Sequence, residues 1–219
     1  MHTYAVIKIG GRAAAESETM LELAREIFRL SNGESDGKTR FVVVHGGGSE
    51  LSLLMERFGF TPRFKDGLRQ TSLEEMPLVD MALSGRMNSA VVRVFGRAGL
   101  NPVGLSAQDG GIVVGRPIVM ADGTTSRTGS VAGSSPALLH TLLEAGFTPI
   151  LSPVSRDDQW EGLNINADEI ALAVAESLKA EQLLFLSDIP GILAEKKVID
   201  RIDEATAERA IAEGSITGG

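Results

Sequence analysis

The sequence predicts an α/β protein: an open, mostly parallel sheet sandwiched by helices, in three layers. Runs of β-branched and apolar residues alternate with segments carrying a helical stripe along the whole chain, the pattern of successive strand–helix units. Residues 41–44, Phe-Val-Val-Val, are continuously apolar, as a strand covered on both faces must be. Glycine is abundant at 25 residues while aromatics are only 5%, a balance that suits tight strand-to-helix turns better than a base-stacking surface. With 219 residues, 43% of them hydrophobic, the chain can bury a substantial core. No repeat or linker interrupts it, so one unit over 1–219 is expected.

The first strand is 4–9, alternating and β-branched, and it stops at Gly10-Gly11,. Residues 19–30 put Met20, Leu23, Ala24, Ile27 and Leu30 on one helical stripe,. The polar stretch 31–39 is a surface loop. Strand 41–44 runs into His45-Gly46-Gly47-Gly48 and then a helix over 49–58. Residues 64–70, turning at Asp66-Gly67, form a hairpin. Ser72 with Glu75 makes a capping box that opens a helix to about Leu83,, and a second helix covers 87–98. A strand at 101–105 precedes short strands at 112–114 and 118–120. Residues 121–133, rich in Gly, Ser and Thr, read as hairpin and loop. Ser135 caps, and Pro136 starts, a helix to Ala145,. There follow a strand at 149–151, a polar loop at 153–162 holding the single Trp, a helix at 167–178, a strand at 182–186 and a last helix at 203–213.

Composition excludes several functions. The formal charge is −8, from 29 acidic and 21 basic residues, and no Lys/Arg cluster offers a nucleic-acid face. Arg12, Arg63, Lys65, Arg69 and Arg86 stand singly, so an anion site must be local, built from one or two cations plus backbone N–H groups. There is no cysteine, which removes disulfides and thiolate metal sites. No charged-then-apolar leader opens the chain, and no apolar run approaches the roughly 20 residues that span a bilayer. A soluble, cytoplasmic protein with no nucleic-acid or membrane partner is expected.

Five segments could carry chemistry. Lys8-Ile9-Gly10-Gly11 ends the first strand, and in open α/β sheets ligands gather at the carboxyl ends of strands,. A lysine there reaches a phosphate, and glycines let backbone N–H groups approach it; the plainer alternative is a solvated lysine before a turn. Gly46-Gly47-Gly48 lies between a buried strand and a helix, where consecutive N–H groups and the helix N-terminus favour an anion,. Neither a G-x-G-x-x-G fingerprint nor a Gly-Lys-Ser/Thr loop occurs, and three adjacent glycines carry an entropic cost that a simple turn does not require.

Gly67-Leu68-Arg69 presents an arginine fork suited to a carboxylate, or a surface arginine,. In Asn164-Ile165-Asn166-Ala167-Asp168-Glu169, Asn166 and Glu169 make a capping box worth roughly 1 kcal/mol; capping leaves Asn164 and Asp168 unexplained. Ser187-Asp188-Ile189-Pro190-Gly191 is a turn that could also hold a nucleotide,. His2, His45 and His140 lack ligand spacing,; His45 is expected to pack or hydrogen-bond at its strand end. No nucleophile elbow or Ser-His-Asp order is visible.

Taken in chain order, Lys-x-Gly-Gly, His-Gly-Gly-Gly, Gly-Leu-Arg, Asn-x-Asn-Ala-Asp and Ser-Asp-x-Pro-Gly resemble the amino acid kinase superfamily, and within it the N-acetylglutamate kinases. Gly104-Leu105-Ser106 to Asp109-Gly110-Gly111 is similar to that family too, and the resemblance spans Tyr4 to Gly219. It implies an amino acid kinase/carbamate kinase-like fold, with an N-terminal lobe of about 1–160 for the acceptor amino acid and a C-terminal lobe of about 161–219 for nucleotide.

It also implies ATP-dependent phosphorylation of the side-chain carboxylate of N-acetyl-L-glutamate, a step of arginine biosynthesis, with ATP and Mg²⁺. By resemblance Lys8 stabilises the transferring phosphoryl group; Gly10, Gly11 and Gly46 surround the phosphate; Gly47 and Gly48 also touch acetylglutamate. Arg69 grips a substrate carboxylate, Asn164 holds the amino-acid end and Asp168 organises the catalytic lysines. Ser187, Asp188, Ile189, Pro190, Gly191, Ile192 and Leu193, with Ser215, Ile216 and Thr217, form the nucleotide side. No metal ligand is assigned.

In the family a glycine like Gly218 or Gly219 is followed by a methionine and then a lysine on the nucleotide phosphates; here the last lysine is Lys197. A C-terminal lobe cut short, and little turnover by a polypeptide ending at Gly219, are therefore expected. The start at the first strand implies the dimeric, arginine-insensitive kind, a homodimer.

The chemistry fits the parts. A carboxylate of pKa about 4.3 is already ionised at neutral pH, so no general base is needed. Phosphoryl transfer is mostly positioning and charge stabilisation, which a lysine, glycine amides and an arginine supply. Two rivals remain: a kinase for glutamate or aminoadipate on an acidic carrier protein, whose acceptor loop would be more basic around Gly67-Leu68-Arg69, and a non-catalytic ligand-binding member of the fold.

Overall fold

In the computed structural model, residues 2–10, 17–33, 39–65, 67–119, 125–187, 191–194 and 197–216 are described. They run β1 (Thr3–Ile9), α1 (Ser17–Ser31), β2 (Thr39–His45), α2 (Gly48–Arg57), β3 (Arg63–Lys65), β4 (Leu68–Gln70), α3 (Met76–Val79), a π-helical segment (Asp80–Met87), α4 (Asn88–Arg97), β5 (Pro102–Ser106), a 3₁₀ turn (Asp109–Gly111), β6 (Val113–Val119) and β7 (Thr125–Ser134). Next come α5 (Ala137–Glu144), β8 (Thr148–Ser152), β9 (Val154–Arg156), β10 (Gly162–Ile165), α6 (Ala167–Leu178), β11 (Gln182–Leu186), β12 (Leu193–Ala194), β13 (Lys197–Val198) and α7 (Glu204–Ala212).

Five parallel strands make the central sheet in the order β11-β1-β2-β8-β5. Period-two alternation divides each strand between the two faces. Ala5, Ile7, Ile9, Phe41, Val43 and Ile150 pack on α1 and α4 through Ala24, Ile27, Val91 and Phe95. Val6, Val42, Val44 and Leu151 pack on α5 and α6 through Leu139, Leu143, Ile170 and Val174. That is the three-layer arrangement the alternating sequence predicts. Among the described residues no helix is long and apolar enough to cross a membrane.

Several elements differ from the sequence reading. The two helices expected at 72–83 and 87–98 are one continuous helical stretch, because α3 passes through a π-helical segment into α4. The Asn88 N–H reaches the Leu83 carbonyl, a five-residue step, and that wider turn carries the helix past Gly85 without a break. The expected capping box at its start is half made: the buried Glu75 accepts the Ser72 N–H at 2.6 Å. Likewise α5 begins at Ala137, with Pro136 and not Ser135 as its flanking residue.

The largest correction is a second sheet. The segment read as hairpin and loop at 121–133 gives most of the ten-residue strand β7, which runs on to Ser134, and the supposed loop at 153–162 contains β9. With β6, one strand where two were expected, and β10, they close into a small barrel. Its interior is small because Leu163 and Ile165 lie where a Cβ on Gly115 or Gly129 would be. Gly129, placed by the sequence reading in a hairpin-and-loop segment, and Gly115 are strand residues across which large side chains pack,. The turn residue Asp66, Met120 and residues 121–124 lie outside the described residues.

Candidate active site

The site is built where β1, β2 and the β10–α6 connection end together. Lys8 sits beside Val44 and Phe185 in register, and Ile9 beside His45. The Gly46 N–H donates to the Ile9 carbonyl at 2.8 Å, so the two glycine loops adjoin at the same edge of the sheet. Lys8 Nζ pairs with Asp168 Oδ1 at 2.8 Å, with 16% of the lysine side chain and 42% of the aspartate exposed. Gly10 makes that reach possible, since a Cβ there would fall on the Lys8 ammonium.

Asp168 is placed by the start of α6. Asn166 caps the helix by accepting the Asp168 N–H at 2.9 Å. The capping box expected from Glu169 is not formed. Glu169 Oε1 instead accepts the Val131 N–H at 2.6 Å, tying α6 to the barrel strand β7. The signal that three-residue spacing gave was local, and a tertiary acceptor-seeking amide won.

Beside the ion pair opens a cleft of about 400 Å³ walled by Gly46, Gly47, Gly48, Arg69, Thr128 and Asn164, among others. Lys8 and Asp168 are not part of its walls; they adjoin it next to Gly46 and Ala167. Gly47 has φ 153°, ψ 26°, a backbone that L side chains rarely adopt, and a Cβ would meet Leu83 Cδ2 at 2.8 Å. Nothing lies within 4 Å of the Cβ position at Gly48, so its bareness keeps the cleft open.

The loop's amides divide. The Gly46 N–H is taken by Ile9, and the Gly10 N–H by the Leu186 carbonyl at 2.9 Å. Gly10 and Gly46 therefore offer space and not an amide, and the expectation of three bare amides at Gly46, Gly47 and Gly48 narrows to the last two. The N–H groups of Gly47 and Gly48 have no acceptor among the described residues, and they open α2, where the helix dipole favours an anion.

Arg69 faces the same glycines. Its Nη2 donates to Gly48 O at 2.9 Å and to Ser52 Oγ at 2.7 Å, and its guanidinium lies 4.6 Å from the Phe64 ring centroid. Burial pulls its pKa below the ordinary arginine value while Glu75 pulls the other way; the group stays charged at neutral pH. Asn164 Nδ2 donates to Thr71 Oγ1 at 3.0 Å, the Thr71 N–H donates to Thr128 Oγ1 at 2.9 Å, and Thr128 Oγ1 donates to Arg69 O at 2.8 Å. This chain locks the arginine hairpin to the barrel. Ser52, Thr71 and Thr128 were missed in the sequence, and no local pattern marks them: each joins the site through a partner 17 to 93 residues away.

The expected nucleotide segment is placed in part. Ser187 follows β11 directly and so leaves the sheet beside Gly10, whose N–H holds Leu186. Ile192 and Leu193 are each 45% exposed, and Ile199 N–H donates to Ile192 O at 2.8 Å. The N–H groups of Ser215 and Ile216 both turn back to the Ala210 carbonyl, closing α7. None of these residues lines the 400 Å³ cleft. Gly11, Asp188, Ile189, Pro190 and Thr217 lie outside the described residues. No group of three or more His, Asp or Glu that could hold a metal ion occurs among the described residues.

His45 is fully buried, with Nδ1 2.7 Å from Gly46 O and Nε2 3.1 Å from Asn88 Nδ2, as a strand-end hydrogen-bonding role predicts. Burial lowers its pKa from 6.5 to about 4, with the Gly46 hydrogen bond opposing. Because the folded value lies below the unfolded one, the unfolded chain binds the extra proton between those limits. Stability contributed by neutral His45 is then full above pH 6.5 and falls as pH drops toward 4, by roughly 3 kcal/mol. Urea titrations at pH 7 and pH 4.5 check this: the pH 4.5 loss should shrink in His45→Asn. An equal loss in both proteins would remove His45 as its source.

Comparison with known proteins follows the same lines. Residues 3–219 match the model of the amino acid kinase family. The chain is similar to the acetylglutamate kinase of Acaryochloris marina, 37% identical over 219 residues, which cover 98% of this chain and 75% of that one. The crystal structure of smu.665 from Streptococcus mutans UA159 superposes with a TM-score of 0.83 at 30% identity, over 99% of this chain and 85% of that one. A carbamate kinase from Giardia lamblia bound to AMP-PNP superposes at 0.68 and 14% identity, over 100% and 84% of the two chains, a likeness of fold alone.

Proposed function

We propose that this chain, which belongs to the amino acid kinase family, phosphorylates the side-chain carboxylate of N-acetyl-L-glutamate with ATP, a reaction of arginine biosynthesis. One observation carries the reading: Lys8 and the Gly47 and Gly48 amides, which have no acceptor among the described residues, end adjacent parallel strands, joined by the Gly46–Ile9 hydrogen bond, beside a cleft that also presents Arg69 and Asn164. A cation and two N–H groups converge where a phosphoryl group would transfer, and a guanidinium and an amide face it from the acceptor side.

In the reaction an oxygen of the ionised carboxylate forms a bond to the γ-phosphorus as the bond to the ADP oxygen breaks, giving an acyl phosphate and ADP. No proton moves, so no base is required. Lys8 and the Gly47 and Gly48 amides offset the charge that gathers on the phosphoryl oxygens. Asp168 holds the ammonium in place, Arg69 grips a substrate carboxylate and Asn164 its amino-acid end. The acceptor site falls mostly within about 1–160, with Asn164 reaching it from just beyond that lobe. The nucleotide side falls within about 161–219, at Ser187 to Leu193 and Ser215 to Thr217.

Magnesium belongs to this proposal as a companion of the nucleotide. Asp168, a carboxylate beside the cleft, is engaged by Lys8, and the described residues hold no ligand cluster. That donor set does not fit a protein cage; it fits an ion carried on phosphate and water oxygens, and no step is assigned to it. A cytoplasmic homodimer completes the proposal. The test is ADP release by the protein with ATP and N-acetyl-L-glutamate, compared with free glutamate and with glutamate carried on an acidic protein. Any release should depend on acetylglutamate alone; preference for the carrier-bound acceptor would transfer the reading to that rival.

A further inference from the structure

The buried polar core between the π-helical segment and the glycine loop has no place in the reaction scheme above, and in it the two hydrogens of one amide are shared among three acceptors. A backbone carbonyl only accepts, so the 2.7 Å contact between His45 Nδ1 and Gly46 O makes Nδ1 the protonated nitrogen,. Nε2 is then an acceptor, and Asn88 Nδ2 is its donor at 3.1 Å. The same Nδ2 lies 2.9 Å from Ile150 O and 3.2 Å from Leu105 O, both acceptors. One amide nitrogen thus faces three acceptors on β2, β8 and β5, and no flipped orientation of Asn88 satisfies them.

The fold makes room for this arrangement. A Cβ on Gly104 would overlap Asn88 Oδ1 and lie 2.9 Å from Val92 Cγ2 if it were present. Asn88 itself is 5% exposed and follows directly on the π-helical segment, whose Leu83 and Met87 press on Gly47. The Gly46 N–H is fixed from the other side by Ile9 O at 2.8 Å. Across a trans peptide the C=O and the following N–H point in opposite directions. Clamping the Gly46 carbonyl onto the buried histidine therefore turns the Gly47 N–H away from the core, on the side where the cleft opens.

We propose that Asn88 is a positioning residue which, through the tautomer it enforces on His45, fixes the Gly46–Gly47 peptide so that the Gly47 N–H is presented to a phosphate. The inference rests on the kinase reading for the identity of the phosphate, but its geometry is independent of the acceptor. It places two residues outside the cleft in control of one of the two free amides.

The variants exploit side-chain geometry. In His45→Asn the amide nitrogen takes the place of Nδ1 and can still donate to Gly46 O; in His45→Leu no donor remains. Calorimetric titration with AMP-PNP should show about a tenfold loss of affinity in His45→Leu and in Asn88→Ala, within the range for one lost charge-assisted bond. His45→Asn should recover most of it. In turnover, kcat should fall by ~10-fold or more in the first two with the acetylglutamate KM within about threefold, since Arg69 and Asn164 are untouched. The double variant His45→Leu/Asn88→Ala should be no worse than either alone.

All three proteins should lose some thermal stability, so the rescue decides. If His45→Asn binds AMP-PNP as weakly as His45→Leu, or if His45→Leu binds as well as the unaltered protein, the positioning role is wrong. An unaltered protein that shows this AMP-PNP pattern without acetylglutamate-dependent ADP release would instead overturn the kinase reading and leave the inference standing.

Discussion

Replacing Lys8 by alanine is expected to lower kcat by ~10²–10³-fold, the usual effect of removing one preorganised donor to a charge that develops in the transition state. The acetylglutamate KM should stay within about threefold, because an interaction made mainly in the transition state lowers kcat and kcat/KM together. The structure strengthens the expectation beyond loss of a cation. Lys8 Nζ holds Asp168 at 2.8 Å; without it an unpaired carboxylate stands next to an incoming polyanion. Asp168→Asn separates the two effects, since it removes that repulsion while leaving the ammonium less well placed. Lys8→Ala/Asp168→Asn should then recover part of what Lys8→Ala loses. Steady-state kinetics by coupled ADP release measures all three, and an unchanged kcat in Lys8→Ala would remove Lys8 from the mechanism.

How much of this was legible in the sequence depends on how local the cause is. The central sheet was readable because its inner strands β2 and β8 are buried on both faces and its helices carry clean stripes; 167–178 and 182–186 coincide with α6 and β11. Lys8 and the glycine run were readable because a strand end followed by glycines is a local pattern. The barrel was not readable. Gly115, Gly129 and Gly133 look like turn residues in a one-dimensional reading, and only the packing of Leu163 and Ile165 across Gly115 and Gly129 makes them strand residues. The amide partners were equally hidden. Nothing near Gly10 or Gly46 in sequence says that Leu186 and Ile9 will take their N–H groups. Nothing near Asn88 points to three acceptors on three strands. The same holds for Glu169, whose spacing to Asn166 suggested a local cap while its carboxylate went to Val131.

Arg69→Ala should give the opposite kinetic pattern to Lys8→Ala, and the difference between them tests the division of the site. A guanidinium fork on a carboxylate makes charge-assisted bonds worth about 1.5–3 kcal/mol each in net terms. Nη2 already gives its hydrogens to Gly48 O and Ser52 Oγ, so the loss of one such bond is expected, a rise in the acetylglutamate KM of ~10-fold or more, each 1.4 kcal/mol being about tenfold.

The fork is already posed. Nη2 is held by Gly48 O and Ser52 Oγ, and the plane lies 4.6 Å from Phe64, so little side-chain freedom remains to be lost on binding. The anchoring also predicts a smaller second effect, because the Gly48 carbonyl that Arg69 holds belongs to the loop whose amides are proposed to meet the phosphate. A kcat decrease below ~10-fold should accompany the KM change. Arg69→Lys keeps the charge but not the two-pronged geometry, so it should restore kcat more fully than KM. If Arg69→Ala left the acetylglutamate KM unaltered while Lys8→Ala raised it, the acceptor and phosphoryl ends of the cleft would have to be exchanged.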